Sequence, residues 1–250
     1  MRRPERIYIV IPTYNEKENI KRLIPKIEAI RESVRLNLRI IVVDDASPDG
    51  TAEEVERLAR KYGNITVIRR PGKLGIGSAY KDGFRAALNM GADIIIEMDA
   101  DLSHDPKYLP TLIDEASKGK DLVIGSRYIS GGSVPGWSFK RELISKVANL
   151  YAKTLLGLKP KDVTSGYRAF RAEALMKADY SAVKSEGYLF QVEVVYRFKQ
   201  KNLRVSEIPI SFTDRRAGKS KLGALEILKF AVGILYLFLE RAVYRAAQTM

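Results

Sequence analysis

The sequence has no cysteine, only one histidine, and no apolar run as long as a membrane-spanning helix requires. The missing cysteines exclude disulfides, thiol nucleophiles and cysteine-based metal sites, and they agree with a reducing compartment. The first apolar stretch ends before Pro12 and is too short for a signal peptide. We therefore expect the bulk of the chain to be cytosolic.

The charge is strongly unbalanced toward the basic side. The 250 residues include 43 Lys and Arg and 30 Asp and Glu, which gives a formal net charge of +13. Such a balance favours an anionic partner: a nucleic acid, a phosphorylated ligand or a membrane surface. No nucleic-acid-binding motif is recognisable, and acidic residues concentrate where a ligand is expected, so we disfavour nucleic acid.

Apolar runs alternate with amphipathic segments along the first half of the chain. The pattern predicts strands at 7–11, 38–43, 65–68, 94–98 and 122–125, with helices at 18–33, 51–62, 78–90 and 107–118. The runs are continuous in Ile and Val, which is typical of parallel strands covered on both faces. We therefore predict one α/β domain with a mostly parallel central sheet and ligands beyond the carboxyl ends of its strands.

Asp99 and Asp101 follow the fourth predicted strand. Side chains at i and i+2 of an extended segment point the same way, so both carboxylates can converge on one divalent cation while Ala100 turns aside. Oxygen ligands suit Mg²⁺ or Mn²⁺. Acidic pairs at strand ends also form turns and helix caps, so this motif alone leaves both interpretations open.

Two further strand ends carry polar residues that strengthen the metal interpretation. Glu16 follows the first strand, and 44–50 follows the second with three aspartates. Carboxylates crowded at one edge need a cation or hydrogen-bond donors, which suggests a metal–nucleotide site. Gly75 and Gly77 begin like a dinucleotide fingerprint but lack its third glycine and follow the third strand. We therefore favour a flexible loop whose backbone amides, together with Lys73, approach a phosphate or a sugar.

Seven motifs, taken in order, resemble a known family. They lie at 11–16, 43–51, 98–104, 125–128, 140–145, 207–210 and 220–222. The set is similar to inverting glycosyltransferases of family 2 with the Rossmann-like GT-A fold, and within them to dolichyl-phosphate (polyprenyl-phosphate) mannosyltransferases. The resemblance implies transfer of mannose from GDP-mannose to dolichyl or polyprenyl phosphate with inversion, yielding GDP and a lipid-linked mannose for protein glycosylation. The main rival is a related enzyme with another donor, such as UDP-glucose, or with a protein acceptor in place of a polyprenyl phosphate.

The resemblance also implies roles for individual residues. Asp99, Asp101 and Ser103 match the metal motif; some relatives have Gln at the Ser103 position, so the third ligand is Ser103, a water or His104. Asp101 and Arg127 are the expected catalytic residues. Nucleotide-sugar binding is implied for Pro12, Tyr14, Glu16, Val43, Asp45, Asp99, Ala100, Asp101, Arg127, Arg215 and Lys221, and contact with the acceptor phosphate for Arg127, Arg141 and Arg215.

The C-terminal segment points to a membrane surface. We predict a catalytic domain at 1–221 and an apolar or amphipathic helix at 222–250, in which an uncharged run at 230–239 is flanked by basic residues. An interfacial helix fits this pattern, and packing on the domain or in a dimer is the alternative. We expect a peripheral protein at the cytoplasmic face of a membrane, with a membrane-anchoring subunit or a second copy as further partners.

Overall fold

The computed structural model describes residues 5–213 and 224–248. In these ranges, seven strands and eight α-helices follow one another along the chain. The strands are β1 (Ile7–Thr13), β2 (Leu38–Asp44), β3 (Ile65–Arg69), β4 (Ile94–Glu97), β5 (Leu122–Ser126), β6 (Arg168–Arg171) and β7 (Val205–Pro209). The helices are α1 (Lys17–Ser33), α2 (Thr51–Tyr62), α3 (Ile76–Asn89), α4 (Leu109–Ser117), α5 (Phe139–Leu156), α6 (Ala172–Lys177), α7 (Gly187–Gln200) and α8 (Ala224–Gln248).

The seven strands form one sheet in the order β3-β2-β1-β4-β6-β5-β7. All neighbours pair in parallel except β6, which lies antiparallel between β4 and β5. The predicted α/β fold with a mostly parallel sheet is confirmed. Because β6 runs backwards, its first residue, Arg168, lies beside Glu97 at the carboxyl end of β4. The segment that precedes β6 therefore reaches the same edge as the ends of the parallel strands.

Each face of the sheet is covered by its own apolar core. On β1, Tyr8 and Val10 belong to one cluster, whereas Ile7, Ile9 and Ile11 belong to the other. This alternation follows from the two-residue period of a strand, and it explains why the runs read as continuously apolar.

Helix α3 lies unusually close to β1. A Cβ atom built on Gly83 would come within 2.2 Å of Val10 Cγ1, a distance that real Cβ atoms do not reach. Only glycine fits between this helix and the strand without displacing one of them.

Several predicted boundaries differ from the structure. Pro12 and Thr13, expected in a loop, belong to β1, and Met98, expected in a strand, lies beyond β4. Pro12 is tolerated because its fixed φ suits an extended residue near a strand end. The elements α5, β6, α6, α7 and β7 had no counterpart in the prediction.

Helix α8 packs against α5 and α7 through part of its surface. Ile234 and Leu237 are buried in the core, and the Tyr151 hydroxyl donates to the Ala231 carbonyl oxygen at 3.1 Å. A Cβ on Gly233 would meet Leu189 at 2.2 Å, so α8 crosses α7 closely there. Within the two described ranges, no helix combines the length and the apolar character needed to cross a bilayer.

Candidate active site

A cavity of about 1220 Å³ opens at the carboxyl edge of the sheet. Most of the predicted site residues line it: Pro12, Tyr14, Glu16, Asp45, Asp99, Ala100, Asp101, Arg127 and Arg141. Two predicted residues lie behind this wall, because Val43 is buried in the core and Ser103 is only 2% exposed. Arg215 and Lys221 lie outside the described residues.

Asp101 and Ser103 form a tight turn after β4. Asp101 Oδ1 accepts hydrogen bonds from the backbone nitrogen of Ser103 at 3.0 Å and from its hydroxyl at 2.5 Å. Leu102 between them has a φ of +65°, in the left-handed region. The Ser103 hydroxyl therefore orients the Asp101 carboxylate in this structure, and its role as a metal ligand stays a prediction.

Asp99 is held by a tyrosine and by the only histidine. The Tyr80 hydroxyl donates to Asp99 Oδ1 at 3.1 Å, and burial together with the Asp99 charge raises the pKa of Tyr80 well above 10, which keeps this donor protonated. The Asp99 backbone nitrogen donates to His104 Nδ1 at 2.9 Å, so the neutral ring carries its proton on Nε2. The imidazole stacks on Tyr167 at 4.8 Å and is 1% exposed.

The donor set suits a hard divalent cation. Asp99 and Asp101 both line the cavity, and the described part of the chain has no group of three or more His, Cys, Asp or Glu side chains placed to hold a metal ion. Mg²⁺ and Mn²⁺ bind in this way, through one or two carboxylates, with waters and substrate phosphates completing the coordination.

A buried acid and a buried base lie beneath these carboxylates. Burial raises the pKa of Glu97 to about 8, against the opposing effect of the Arg168 charge, and burial lowers the pKa of Arg168 to about 10. The Arg168 guanidinium donates to the carbonyl oxygens of Ser165, Val163 and Gln191. At neutral pH Glu97 is thus largely protonated and adds little negative charge behind Asp99.

Asp45 joins the ends of β2 and β3 to the glycine loop. Its Oδ2 accepts from the backbone nitrogens of Leu74 at 3.1 Å and Gly75 at 3.3 Å. Its Oδ1 lies 2.8 Å from Nη1 of Arg70, and both side chains are less than a tenth exposed. Arg70 also donates to the Ser78 hydroxyl, so one guanidinium fixes both Asp45 and the start of α3.

Tyr14 and Glu16 also line the cavity. Lys73 Nζ stands 4.0 Å from the centre of the Tyr14 ring, a cation–π contact that brings a positive charge to the cavity wall. Glu16 Oε2 accepts from Asn19 at 2.6 Å, and the Glu16 backbone nitrogen donates to the Thr51 hydroxyl. This part of the cavity thus offers an aromatic face, carboxylates and a lysine.

Arg127 is fixed by a fully buried carboxylate. Asp162 accepts from Nε at 2.7 Å, from Nη2 at 2.6 Å and from the Arg127 backbone nitrogen at 3.0 Å, and Nη2 also donates to the Thr164 hydroxyl. Burial disfavours both charged forms, but the attraction and hydrogen bonds between the two side chains outweigh the effect of burial. The pKa of Asp162 is therefore lowered and the pKa of Arg127 is raised. Arg127 therefore presents a permanent, immobile positive charge.

Sequence reasoning missed Arg70, Tyr80 and Trp137, and it left Asp162 out of the site. A signal existed for Arg70, which follows β3 at the same edge as the other polar strand ends. Tyr80 lies inside a helix, where the neighbouring sequence does not distinguish a tyrosine that bonds a cavity carboxylate from a tyrosine of the core. Trp137 comes from a loop whose path depends on distant contacts.

A family profile described as "Glycosyl transferase family 2" matches residues 8–178, about two thirds of the chain. The chain belongs to glycosyl transferase family 2. This glycosyltransferase is 42% identical to polyprenol monophosphomannose synthase of Mycolicibacterium smegmatis over 91% of its own length and 84% of the relative's. It is 43% identical to undecaprenyl-phosphate mannosyltransferase of Micrococcus luteus, with 87% of each chain covered.

A solved structure supports the fold. The Mycobacterium tuberculosis glucosyl-3-phosphoglycerate synthase, in complex with Mn²⁺, UDP-glucose and phosphoglyceric acid, superposes with a TM-score of 0.66. The match covers 92% of this chain and 79% of that one at 21% identity. The glycosyltransferase therefore has the GT-A fold expected from its motifs.

Proposed function

We propose that this glycosyltransferase moves mannose from GDP-mannose to a polyprenyl phosphate of the dolichyl type, with inversion at the anomeric carbon. The observation that carries the proposal is its identity of more than 40% to two proteins named as polyprenyl-phosphate mannosyl-transferring enzymes, over most of each chain. The products are GDP and polyprenyl phosphate mannose, a lipid-linked donor for protein glycosylation.

The two ends of the cavity suit a donor and an acceptor. On the nucleotide side, Tyr14, Asp45 and Lys73 offer an aromatic face, hydrogen-bond acceptors and a charge for a nucleotide sugar. On the other side, Arg127 and Arg141 line the wall and suit a phosphate.

An acceptor phosphate removes the need for a general base. A phosphate monoester has a second pKa of about 6 and arrives largely dianionic at neutral pH. His104 accepts the Asp99 backbone N–H and is buried, which leaves it no role in deprotonating a nucleophile. The work of the chain is to hold two anions together and to orient them, and the fixed charge of Arg127 suits that task. A divalent cation on Asp99 and Asp101 would stabilise the departing diphosphate.

Exposed apolar stripes run along two helices that also contribute residues to the cavity wall. On α5 the stripe consists of Phe139, Leu143, Val147 and Leu150; on α8 it consists of Leu225, Leu228, Val232, Leu235 and Leu239. Steps of three and four residues keep each stripe on one helix face. The cavity wall itself includes apolar residues of both helices, namely Leu143, Val147, Ile227 and Phe230.

These stripes support peripheral attachment to a membrane, with the lipid chain of the acceptor running from the cavity between α5 and α8. One side of α8 packs on the domain and the other side is exposed. The helix can therefore pack on the domain and lie at a membrane interface at the same time, the two alternatives considered from the sequence. Attachment at the cytoplasmic face and an anchoring subunit stay predictions.

A ligand panel with Mn²⁺ tests the donor. We expect GDP-mannose and GDP to raise the melting temperature much more than UDP-glucose and UDP do, because only a ligand that binds the folded state stabilises it. Incubation with GDP-mannose and a polyprenyl phosphate should then give a β-linked product from the α-linked donor, measured by NMR. Transfer of glucose from UDP-glucose in place of mannose would overturn the proposal.

Flotation with anionic vesicles tests the membrane surface. The double variant Leu228→Glu/Val232→Glu should float less than wild type, because each substitution places a charge in the exposed stripe of α8. The matched control is Val34→Glu/Met176→Glu, which changes two exposed apolar residues elsewhere. Equal flotation of the two double variants would contradict attachment through α8.

A further inference from the structure

Trp137 lies between the two arginines of the proposed acceptor site. The Arg141 guanidinium carbon stands 4.0 Å from the centre of its ring, and that of Arg127 stands at 5.5 Å. Both distances are within the range of cation–π attraction. The aromatic ring of Phe212 meets Trp137 edge-on at 5.7 Å and also lies 5.5 Å from Arg127. Two like charges therefore share one aromatic neighbour at the cavity wall.

The loop that carries Trp137 is tied to the end of the sheet. Ser133 donates its backbone nitrogen to the Ile210 carbonyl oxygen and accepts at its own carbonyl from Phe212, and the Trp137 nitrogen closes a turn onto Val134. Gly136 in that turn has a φ of +86°. These bonds fix the indole beside Phe212 and Arg127, which Asp162 already immobilises.

Arg141 depends on different contacts. It lies in the first turn of α5, where its backbone nitrogen donates to the capping Ser138 hydroxyl at 3.3 Å. At a helix N-terminus a positive charge is unfavourable, because the macrodipole is positive there, and the neighbouring charge of Arg127 adds repulsion. The electron-rich face of Trp137 acts against both effects.

Packing alone does not explain an indole at this position. The Trp137 Nε1 atom is buried and donates to no acceptor among the described residues. An unsatisfied buried donor destabilises a fold, and phenylalanine would avoid that cost while filling most of the same space. What tryptophan adds is the strongest cation–π face of the aromatic side chains.

We infer that Trp137 is a positioning residue for the acceptor: its ring holds the Arg141 guanidinium beside Arg127, so that both point their charge at the phosphate monoester of the incoming lipid. The inference rests on the proposed function, since it assigns Trp137 to that function's acceptor phosphate. It predicts that the ring face, not the volume of the side chain, determines acceptor affinity.

Steady-state kinetics with Trp137→Phe and Trp137→Leu test this role. Leucine should raise the acceptor KM about tenfold, phenylalanine should raise it about two- to threefold, and the KM for the nucleotide sugar and the melting temperature should stay near wild type. Tyr62→Leu is the matched control, because it removes a cation–π contact with Lys61 away from the cavity. Equal acceptor KM values in wild type, the two Trp137 variants and the Tyr62 control would overturn the inference. It would also be overturned if the KM values for acceptor and nucleotide sugar rose together in the Trp137 variants in proportion to a drop in melting temperature.

Fluorescence gives a second readout that needs no turnover. Trp137 is the single tryptophan of the chain, so its emission reports this site directly. Farnesyl phosphate should change the emission in a saturable manner, and farnesol at the same concentrations should not. No change with farnesyl phosphate in an enzyme that transfers sugar to it would refute the positioning role. Failure of the wild-type enzyme to transfer any sugar to polyprenyl phosphates would refute the proposed function instead.

Discussion

Replacing Asp162 by asparagine should destabilise the protein more than any surface charge substitution. The change removes the carboxylate that receives three hydrogen bonds from Arg127, in a position where the Asp162 side chain is fully buried. Arg127 is itself 7% exposed, so its charge would be left in the interior without a counter-ion. Removing one partner of such a pair costs about 3 to 5 kcal/mol. In a chain of 250 residues this corresponds to a melting temperature lower by about 6 to 20 °C.

Thermal and urea unfolding of Asp162→Asn measure this loss, with Asp114→Asn as the control. Asp114 forms an ion pair with Lys118 in which both side chains are more than half exposed, so its removal should leave the melting temperature nearly unchanged. The double variant Arg127→Met/Asp162→Leu should recover stability relative to Asp162→Asn, because neither charge of this pair remains in the interior. If Asp162→Asn melts within a degree of Asp114→Asn, the uncompensated-charge argument is wrong.

Three further outcomes follow from the site. Ser103→Ala should raise the Mn²⁺ concentration for half-maximal transfer about tenfold, because the hydroxyl orients Asp101; an unchanged metal-activation curve would contradict this. Arg70→Gln should raise the KM for the nucleotide sugar and reduce the thermal shift caused by GDP, since Asp45 loses its ion pair; equal shifts would argue against it. The pKa of Asp162 in the folded protein lies below its usual 3.8, so the stabilisation by the ionised carboxylate is present above about pH 4 and is lost as the pH falls through the folded-state pKa. The difference in unfolding free energy between wild type and Asp162→Asn, measured in urea, should therefore become smaller below pH 4. A difference that does not change with pH would refute this argument.

The N-terminal half of the sheet could be predicted because its strands are apolar throughout. β1, β2 and β4 carry runs of Ile and Val, and parallel strands buried on both faces leave that pattern. β6 could not be predicted, because its four residues begin and end with arginine. Arg168 is tolerated inside the sheet because three carbonyl oxygens accept from its guanidinium, those of Val163 and Ser165 in the preceding loop and that of Gln191 on α7. The sequence does not reveal that arrangement.

The same division applies to the site. The ends of parallel strands meet at one edge, so the sequence alone could bring Asp45, Asp99 and Asp101 together. Arg70 follows β3 at that edge and could have been added to them, whereas groups such as Tyr80 reach the carboxylates through helix packing. Those contacts depend on tertiary structure, and sequence periodicity carries no trace of them.

The close approach at Gly83 has a consequence for how the enzyme tolerates change. Gly83 lies one turn after Tyr80 on α3, and Tyr80 is the residue whose hydroxyl reaches Asp99. Any side chain at 83 would lift the helix from β1 and would carry that hydroxyl away from the carboxylate. A substitution that lies outside the cavity would thus displace the Asp99 carboxylate inside it, and we expect no residue other than glycine to be tolerated at position 83.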